Sequence, residues 1–398
     1  MRSARTPWAV LPPPSLEPIT DSFRCEVLVV GAGITGALVA ERLSRQSRQV
    51  VIIDREVPSL GSTVASTAML LWEIDRPLFQ LTQFYGFEKA VRCYRASHQA
   101  ARGLRALIAQ YGIACHMRPR LSLYLAADDS PKLIQDEYGL RSRADLPSLL
   151  LGHAELLQRF AIARAGAILS RDAADADPVL LTRGLLDLSL KRGTRLLKAN
   201  AVAYDGTAST VTVGLEDGFS IEARRVVLAT GYVMPDIVRP TAQQPASSWA
   251  IATAPQADNL WPGQALIWEA TQNYHYARTT SDGRIIFGGE DDHGLIQPDA
   301  RDAATPTKVR VLKERLRALW PRTSSHVAFA WSGAFDTTRD GLPLIGAVPC
   351  SKNVFAAFGY GGNGITFSLL AAELIGSLLS GGSSPLLDDF AIDRDISG

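Results

Sequence analysis

"CEVLVVGAGITGALVAERLSRQSRQVVIIDRE", Cys25 to Glu56, decides the fold. "CEVLVV" is a short apolar run bounded by glycine, which reads as a buried strand. "GAGITGALVAERLSRQ" turns into a helix, and "RQVVIIDRE" is a second buried strand. Two buried strands joined by a helix make a βαβ unit, and therefore a parallel sheet. Gly31, Gly33 and Gly36 form G-x-G-x-x-G directly between the first strand and the helix. Gly31 permits the tight turn, Gly33 lets backbone reach a pyrophosphate, and Gly36 lets helix and strand pack closely. The N–H groups at the helix start, from Ile34 and Thr35 onward, offer partial positive charge to phosphates. Asp54 ends the second strand 18 residues after Gly36 and suits the ribose hydroxyls of an AMP half, with Arg55 beside it. The stretch thus predicts a dinucleotide site. It does not separate NAD from FAD, because both share the ADP half.

The rest of the chain bounds the problem. With 398 residues, one to three domains are expected. A 46% hydrophobic and 20% charged composition is that of an ordinary globular protein. A formal net charge of +1 leaves no basic field for nucleic acid. Cys25, Cys93, Cys115 and Cys350 are far apart, which argues against a cysteine zinc site and a disulfide framework and favours a reducing cytoplasm. The six histidines lack HExxH-type spacing, so no metal is expected. The proline-rich start, residues 1–20, lacks the apolar core of a signal peptide and reads as an extended arm lying on a surface. No uninterrupted apolar run of about eighteen residues occurs, so no membrane span is expected, and Ile365 to Leu379 reads as a buried helix.

Helical periodicity covers 88–111, and 178–192 reads as a helix with Pro178 in its first turn. Residues 306–321 also read as a helix, and the last one opens near Gly364. Strand signals occur at 120–126, in "VTVGLED" and "RRVVLATGY", within 247–253 and 265–289, and in "HVAFAWSG" and "NVFAAFG". This alternation predicts an α/β fold: a Rossmann-like domain with a parallel sheet, interrupted by an α+β domain with a mostly antiparallel sheet. The nucleotide domain is expected at 21–112, 177–235 and 330–398, and the substrate domain at 113–176 and 236–329.

Three features select FAD over NAD. "GSTVASTAML" follows the second strand, and its Ser62, Thr63, Ala65, Ser66 and Thr67 let the chain pass close by while offering hydroxyls to phosphate and flavin oxygens. "RRVVLATGY" ends in a small turn at Thr230 and Gly231. "DGLPLIG" and "GYGGNGITF" bring the C-terminus back toward the same site, where the longer FAD needs a second set of contacts. Val202, Gly333, Gly361, Gly362, Asn363, Gly364 and Ile365 complete the expected cofactor contacts. The helix starting at Gly364 is expected to aim its positive end at the pyrimidine edge of the flavin and to favour the reduced form.

These segments, together with "YHYARTTSDGRIIFGGEDD" and "WSGAFDTTRDGLPLIG", resemble the FAD-dependent oxidoreductase family of D-amino-acid oxidase, glycine oxidase and sarcosine oxidase, in the family's order along nearly the whole chain. The arm "TPWAVLPPP" is similar to those of the γ-glutamylputrescine oxidoreductase branch. The resemblance implies oxidation of a C–N bond in an amine or amino acid, by hydride transfer to flavin N5 and hydrolysis of the imine, with O2 as acceptor. It implies a substrate wall from "YHYART", where Tyr274, Tyr276 and Arg278 share one strand face, with Trp268 and Glu269 on a neighbouring strand. Trp72 and Glu73 are further candidates, Tyr360 is expected to face the substrate, and His275 is read as a core residue.

Three departures matter. Glycine oxidases grip the substrate carboxylate with an arginine where this chain has Phe335; Arg339 lies four positions later. Monomeric sarcosine oxidases have an oxygen-activating lysine where this chain has Ile286. They also hold flavin through a cysteine, but Cys350 is misplaced for that, so non-covalent FAD is expected. A dehydrogenase or electron-transfer subunit using a quinone or protein acceptor stays open, as does a non-catalytic FAD-binding module.

Overall fold

The computed structural model describes all residues except 1, 4, 9–11, 13, 15, 128–130, 239–242, 295–296, 325, 350, 397 and 398. Cys350, on which the expectation about covalent flavin rested, lies outside the described residues.

The quoted stretch folds as read. Phe23–Val30 and Val50–Asp54 are parallel neighbours, joined by the helix Ile34–Arg45. Val27, Leu28, Val29, Ile52 and Ile53 have no exposed surface, because helices and loops cover both faces of the parallel strands at the centre of this mixed sheet. The sheet runs, in spatial order, through Ala201–Gly206, Val211–Leu215, Ser220–Leu228, Phe23–Val30, Val50–Asp54, Arg195–Lys198 and Glu17–Pro18. Val354–Phe358 joins it in parallel alongside Val226 to Leu228. The fingerprint helix packs between Pro178–Lys191 and the C-terminal helix Gly364–Leu379. Asp177 caps the first of these by accepting from the Val179 and Leu180 N–H groups at 2.9 and 3.0 Å. The C-terminal helix has the length and apolarity to cross a membrane, yet most of that stretch is buried inside the protein, as a core helix requires.

The second sheet is antiparallel except where Leu266–Glu269 runs parallel to Arg118–Leu125. Its order is Arg2–Ser3, Val327–Thr338, Gln243–Thr253, Ile285–Asp292, Tyr276–Thr279, Leu266–Glu269, Arg118–Leu125, Gly166–Asp175 and Met69–Leu70, with Ser148–Gly152 on the flank of Gly166–Asp175.

The structure moves three boundaries. Val327–Thr338 belongs to the second sheet along its length, pairing with Gln243–Thr253, so the division at 330 cuts a strand. Met69–Leu70, inside the segment assigned to the nucleotide domain, also pairs into the second sheet. The helix read as 306–321 starts at Pro298 and runs through Pro306 to Leu319. A proline nine residues into a helix looks in sequence like a helix start, because its ring is best tolerated in the first turn.

The arm is also more deeply engaged than a surface strap. Trp8 is buried, and its indole N–H donates to the Ser66 carbonyl at 3.0 Å. Glu17–Pro18 adds a parallel strand beside Arg195–Lys198.

Candidate active site

One elongated cavity of about 870 Å³ runs from the fingerprint to the second sheet. Its size is that of a small-molecule site. At the fingerprint end, a side chain on Gly36 would overlap the Gly31 carbonyl, so helix and turn can approach this closely only without a Cβ. The Asp54 carboxylate accepts from the Ala32 N–H at 2.7 Å and from the Glu56 N–H at 2.9 Å. Burial pushes its pKa up, and these two backbone donors oppose the rise. Thr63 Oγ1 accepts from the Ile34 N–H at 3.0 Å, which ties the hydroxyl-rich loop to the helix start.

Gly31, Gly33, Ile34, Thr35, Asp54, Arg55, Ser62, Thr63, Ala65, Ser66, Thr67, Val202, Thr230, Gly231 and Gly333 all line this cavity. Gly36 does not, because its task is packing beneath the turn. Val202 is 58% exposed and stands at the mouth. The donor groups, the acidic strand end and the side-chain-free turn fit the ADP half of FAD.

Gly361, Gly362, Asn363, Gly364 and Ile365 line the same cavity from the C-terminal side. The Gly362 N–H donates to Asp75 Oδ2 at 2.7 Å. A Cβ on Gly361 would overlap the Asp75 carboxylate, and one on Gly362 would lie 2.8 Å from the Tyr274 hydroxyl. The glycines here make room for two side chains as well as for a ligand. The Asn363 side-chain amide donates to the Glu73 carbonyl, and Thr366 Oγ1 donates to the Leu71 carbonyl at 2.7 Å, so the strand-to-helix stretch after the hydroxyl loop is fastened to this helix start.

At the far end the walls are aromatic and acidic. Trp268 stacks on Tyr124, with ring centres 4.0 Å apart, and meets Tyr274 edge-on at 6.1 Å. Tyr274 and Tyr276 lie 6.0 Å apart. The Tyr276 ring lies over Gly288 of the neighbouring strand, where any Cβ would strike it. Tyr360 lines the cavity close to the hydrogen-bonded hydroxyls of Thr35 and Ser368. Phe335 lines it too, at the position where an arginine would grip a carboxylate.

Arg278 departs from the expectation. It is 3% exposed and absent from the cavity wall. Its guanidinium donates to the carbonyls of Thr67, Ala68 and Ala176 at 2.8 to 3.0 Å and pairs with Asp175 at 3.4 Å. Burial lowers its pKa to about 10, against the pull of Asp175. It clamps the hydroxyl loop to the second sheet. Sharing a strand face with Tyr276 did not bring it to the cavity, because that face passes beneath the loop. Glu269 is likewise engaged elsewhere, with His275 at 3.0 Å and Arg164 at 3.6 Å. His275 bridges Glu269 and Glu290, which raise its pKa although burial works the other way. Trp72 donates to the Arg171 carbonyl at 2.6 Å and packs away from the cavity, whereas Glu73 lines it.

The carboxylates of Asp75, Asp291 and Asp336 also line the cavity, and sequence reasoning missed all three. Burial raises the Asp75 pKa, against the Gly362 N–H and the Tyr274 hydroxyl at 3.4 Å. Burial and the charge of Asp75 push Asp291 up to about 6, while Ser248, His293 and Lys308 pull it down. Burial pushes Asp336 to about 7, although the Gly359 N–H donates to it at 3.1 Å. The available signals were the acid next to the Trp72-Glu73 pair and the acids closing "GGEDD", but their convergence is invisible along the chain.

The chain matches the family model described as FAD dependent oxidoreductase over residues 26–378. It is 24% identical to the gamma-glutamylputrescine oxidoreductase of Escherichia coli K12 over 378 residues, which span 91% of this chain and 85% of that one. Its fold superposes on glycine oxidase from Geobacillus kaustophilus with a TM-score of 0.78 at 20% identity, over 94% of this chain and 100% of that one. L-proline dehydrogenase from P. horikoshii gives 0.77 at 18% identity, over 93% and 97%. A match of the family model over most of the chain, on a fold whose cavity lining fits FAD, means that this protein belongs to the FAD-dependent oxidoreductase family.

Proposed function

We propose that the protein oxidises a C–N bond of an amine or amino acid with non-covalently bound FAD. The observation that supports this best is the continuity of the cavity, which joins the ADP cradle at Gly31 and Asp54 to the aromatic and acidic pocket around Tyr274 and Tyr276. When bound, FAD supplies an acceptor for the hydride that leaves the carbon beside nitrogen. The chain's own residues do the rest. Trp268, Tyr274 and Tyr276 form flat walls that exclude water and orient the substrate carbon. Tyr274 is positioned in turn by Asp75, within 3.4 Å of its hydroxyl. The amine reacts in its neutral form, whose free lone pair drives hydride loss from the neighbouring carbon. Water then adds to the imine carbon, which yields a carbonyl product and a free amine.

The helix start at Gly364 points a positive dipole end at the cavity, which would favour an anionic reduced flavin there. The test is anaerobic mixing with amines and amino acids while the flavin absorbance is followed. Bleaching is expected, and failure of every compound to bleach it would sink the proposal. A dehydrogenase reading has its own support: Ile286, at the place of an oxygen-activating lysine, is fully buried among Trp8, Val64 and Trp331. Stopped-flow mixing of reduced protein with air separates the two, since slow reoxidation favours a quinone or protein acceptor over O2.

A further inference from the structure

Among the described residues, the substrate end of the cavity is lined by acids and by no base; Lys308 and His293 act on Asp291 from outside the lining. Among the described residues that line the cavity, Arg55 is the one basic side chain, and it stands beside Asp54 at the fingerprint end. Phe335 occupies the position of a carboxylate-gripping arginine, and Arg339 is exposed, with its carbonyl engaged by Arg76. Glu73 is 1% exposed, and neither of its carboxylate oxygens has a hydrogen-bond partner. Arg141, enclosed by Trp72, Tyr94 and Tyr124 behind the wall, pairs directly with Glu137 at 2.7 Å and reaches Glu73 only at 3.9 Å. Asp75 and Asp291 have no such counterion bonded to them, and Asp291 Oδ1 has no hydrogen-bond partner at all. Two half-buried carboxylates without a bonded base, one of them with a buried and unpartnered oxygen, are costly until a cation arrives. Three aromatic rings beside them add faces that attract a cation and repel a carboxylate.

The reacting nitrogen must be neutral for hydride loss, so it cannot be the cation that these acids hold. A second nitrogen on the same substrate has to carry the charge. We propose that the cavity selects an aliphatic diamine or oligoamine, whose remote ammonium group sits between Asp75 and Asp291, and turns away amino acids with a carboxylate on the oxidised carbon. This rests on the amine-oxidation reading above.

The experiment compares 1,4-diaminobutane, n-butylamine, N-methylglycine and D-alanine against the FAD-loaded protein. Binding is read from perturbation of the flavin absorbance, and oxidation from its anaerobic bleaching. The diamine is expected to bind at least ~30-fold more tightly than n-butylamine, the difference that loss of one buried charge contact makes. In Asp291→Asn, with FAD content unchanged, that preference should fall to near unity, and Asp291→Glu should recover part of it. Bleaching by N-methylglycine or D-alanine in preference to the diamine overturns the inference and leaves the oxidation reading standing. Diamine binding without bleaching by any compound supports the inference and sinks the oxidation reading. An Asp291→Asn variant that keeps the full diamine preference also overturns the inference.

Discussion

Gly288 shows how much one residue carries. It sits opposite Tyr276 across a strand pair, and the tyrosine ring occupies the space a side chain would need. Gly288→Ala is expected to push the ring into the cavity and lower kcat/KM at least ~10-fold, with FAD content unchanged, because a misplaced wall costs orientation more than binding of the remote cofactor half. Steady-state kinetics alongside FAD quantitation checks this. Arg278 carries a different load. Removing its guanidinium in Arg278→Met strips donors from three buried carbonyls and a partner from Asp175. A loss of about 3 kcal/mol or more is expected in chemical denaturation. If Arg278 gripped the substrate instead, KM would rise with no change in stability.

At the scale of elements, the glycine-rich helix start at Gly361 to Gly364 holds two roles together. It offers backbone N–H groups to the cavity, and it seats the Asp75 carboxylate and the Tyr274 hydroxyl. Gly362→Leu is expected to displace both and to release FAD. Normal FAD content and an unaltered flavin spectrum would show that this element is misplaced in our account. The N-terminal arm matters through Trp8, whose indole lies on Ser66 and under the guanidinium of Arg278 at 5.5 Å. Trp8→Ala leaves a void beside the hydroxyl loop and is expected to cost on the order of 3 kcal/mol. Thermal unfolding should register this, together with weaker FAD retention in dialysis. The arm's prolines were legible as an extended segment. The depth to which Trp8 is buried was not, because nothing nearby in sequence marks its pocket.

For the whole molecule, the buried acids make stability depend on pH. Asp336 has a folded pKa of about 7, raised by burial above its ordinary value. The native state therefore holds a proton that the unfolded chain releases, so stability is greatest at low pH with respect to this group and falls as pH rises toward 7. FAD-free Asp336→Asn should exceed the parent protein in stability by on the order of 4 kcal/mol at pH 8, and the gap should close as pH falls below about 4. Urea denaturation at both pH values measures it, and a gap independent of pH would contradict the assignment.

The division between sequence and tertiary structure follows from distance along the chain. The fingerprint was legible because its glycines, helix start and acid lie within 24 residues, and local sterics and backbone donors dictate their geometry. The same holds for the capped helix at Pro178, and for the buried strands, whose apolar runs admit only a covered sheet. The substrate end was legible only as a set of residue types. Tyr274 meets Asp75 across 199 positions, and Gly362 meets Asp75 across 287. Alternation along a strand correctly grouped Tyr276 with Arg278, but it did not reveal that a loop would cover one and leave the other at the cavity. By itself, the sequence determined that this chain builds a parallel sheet around an ADP-binding turn. Only the tertiary structure decided which acids line the cavity, because burial and charge at that end arise from segments that meet nowhere but in the fold.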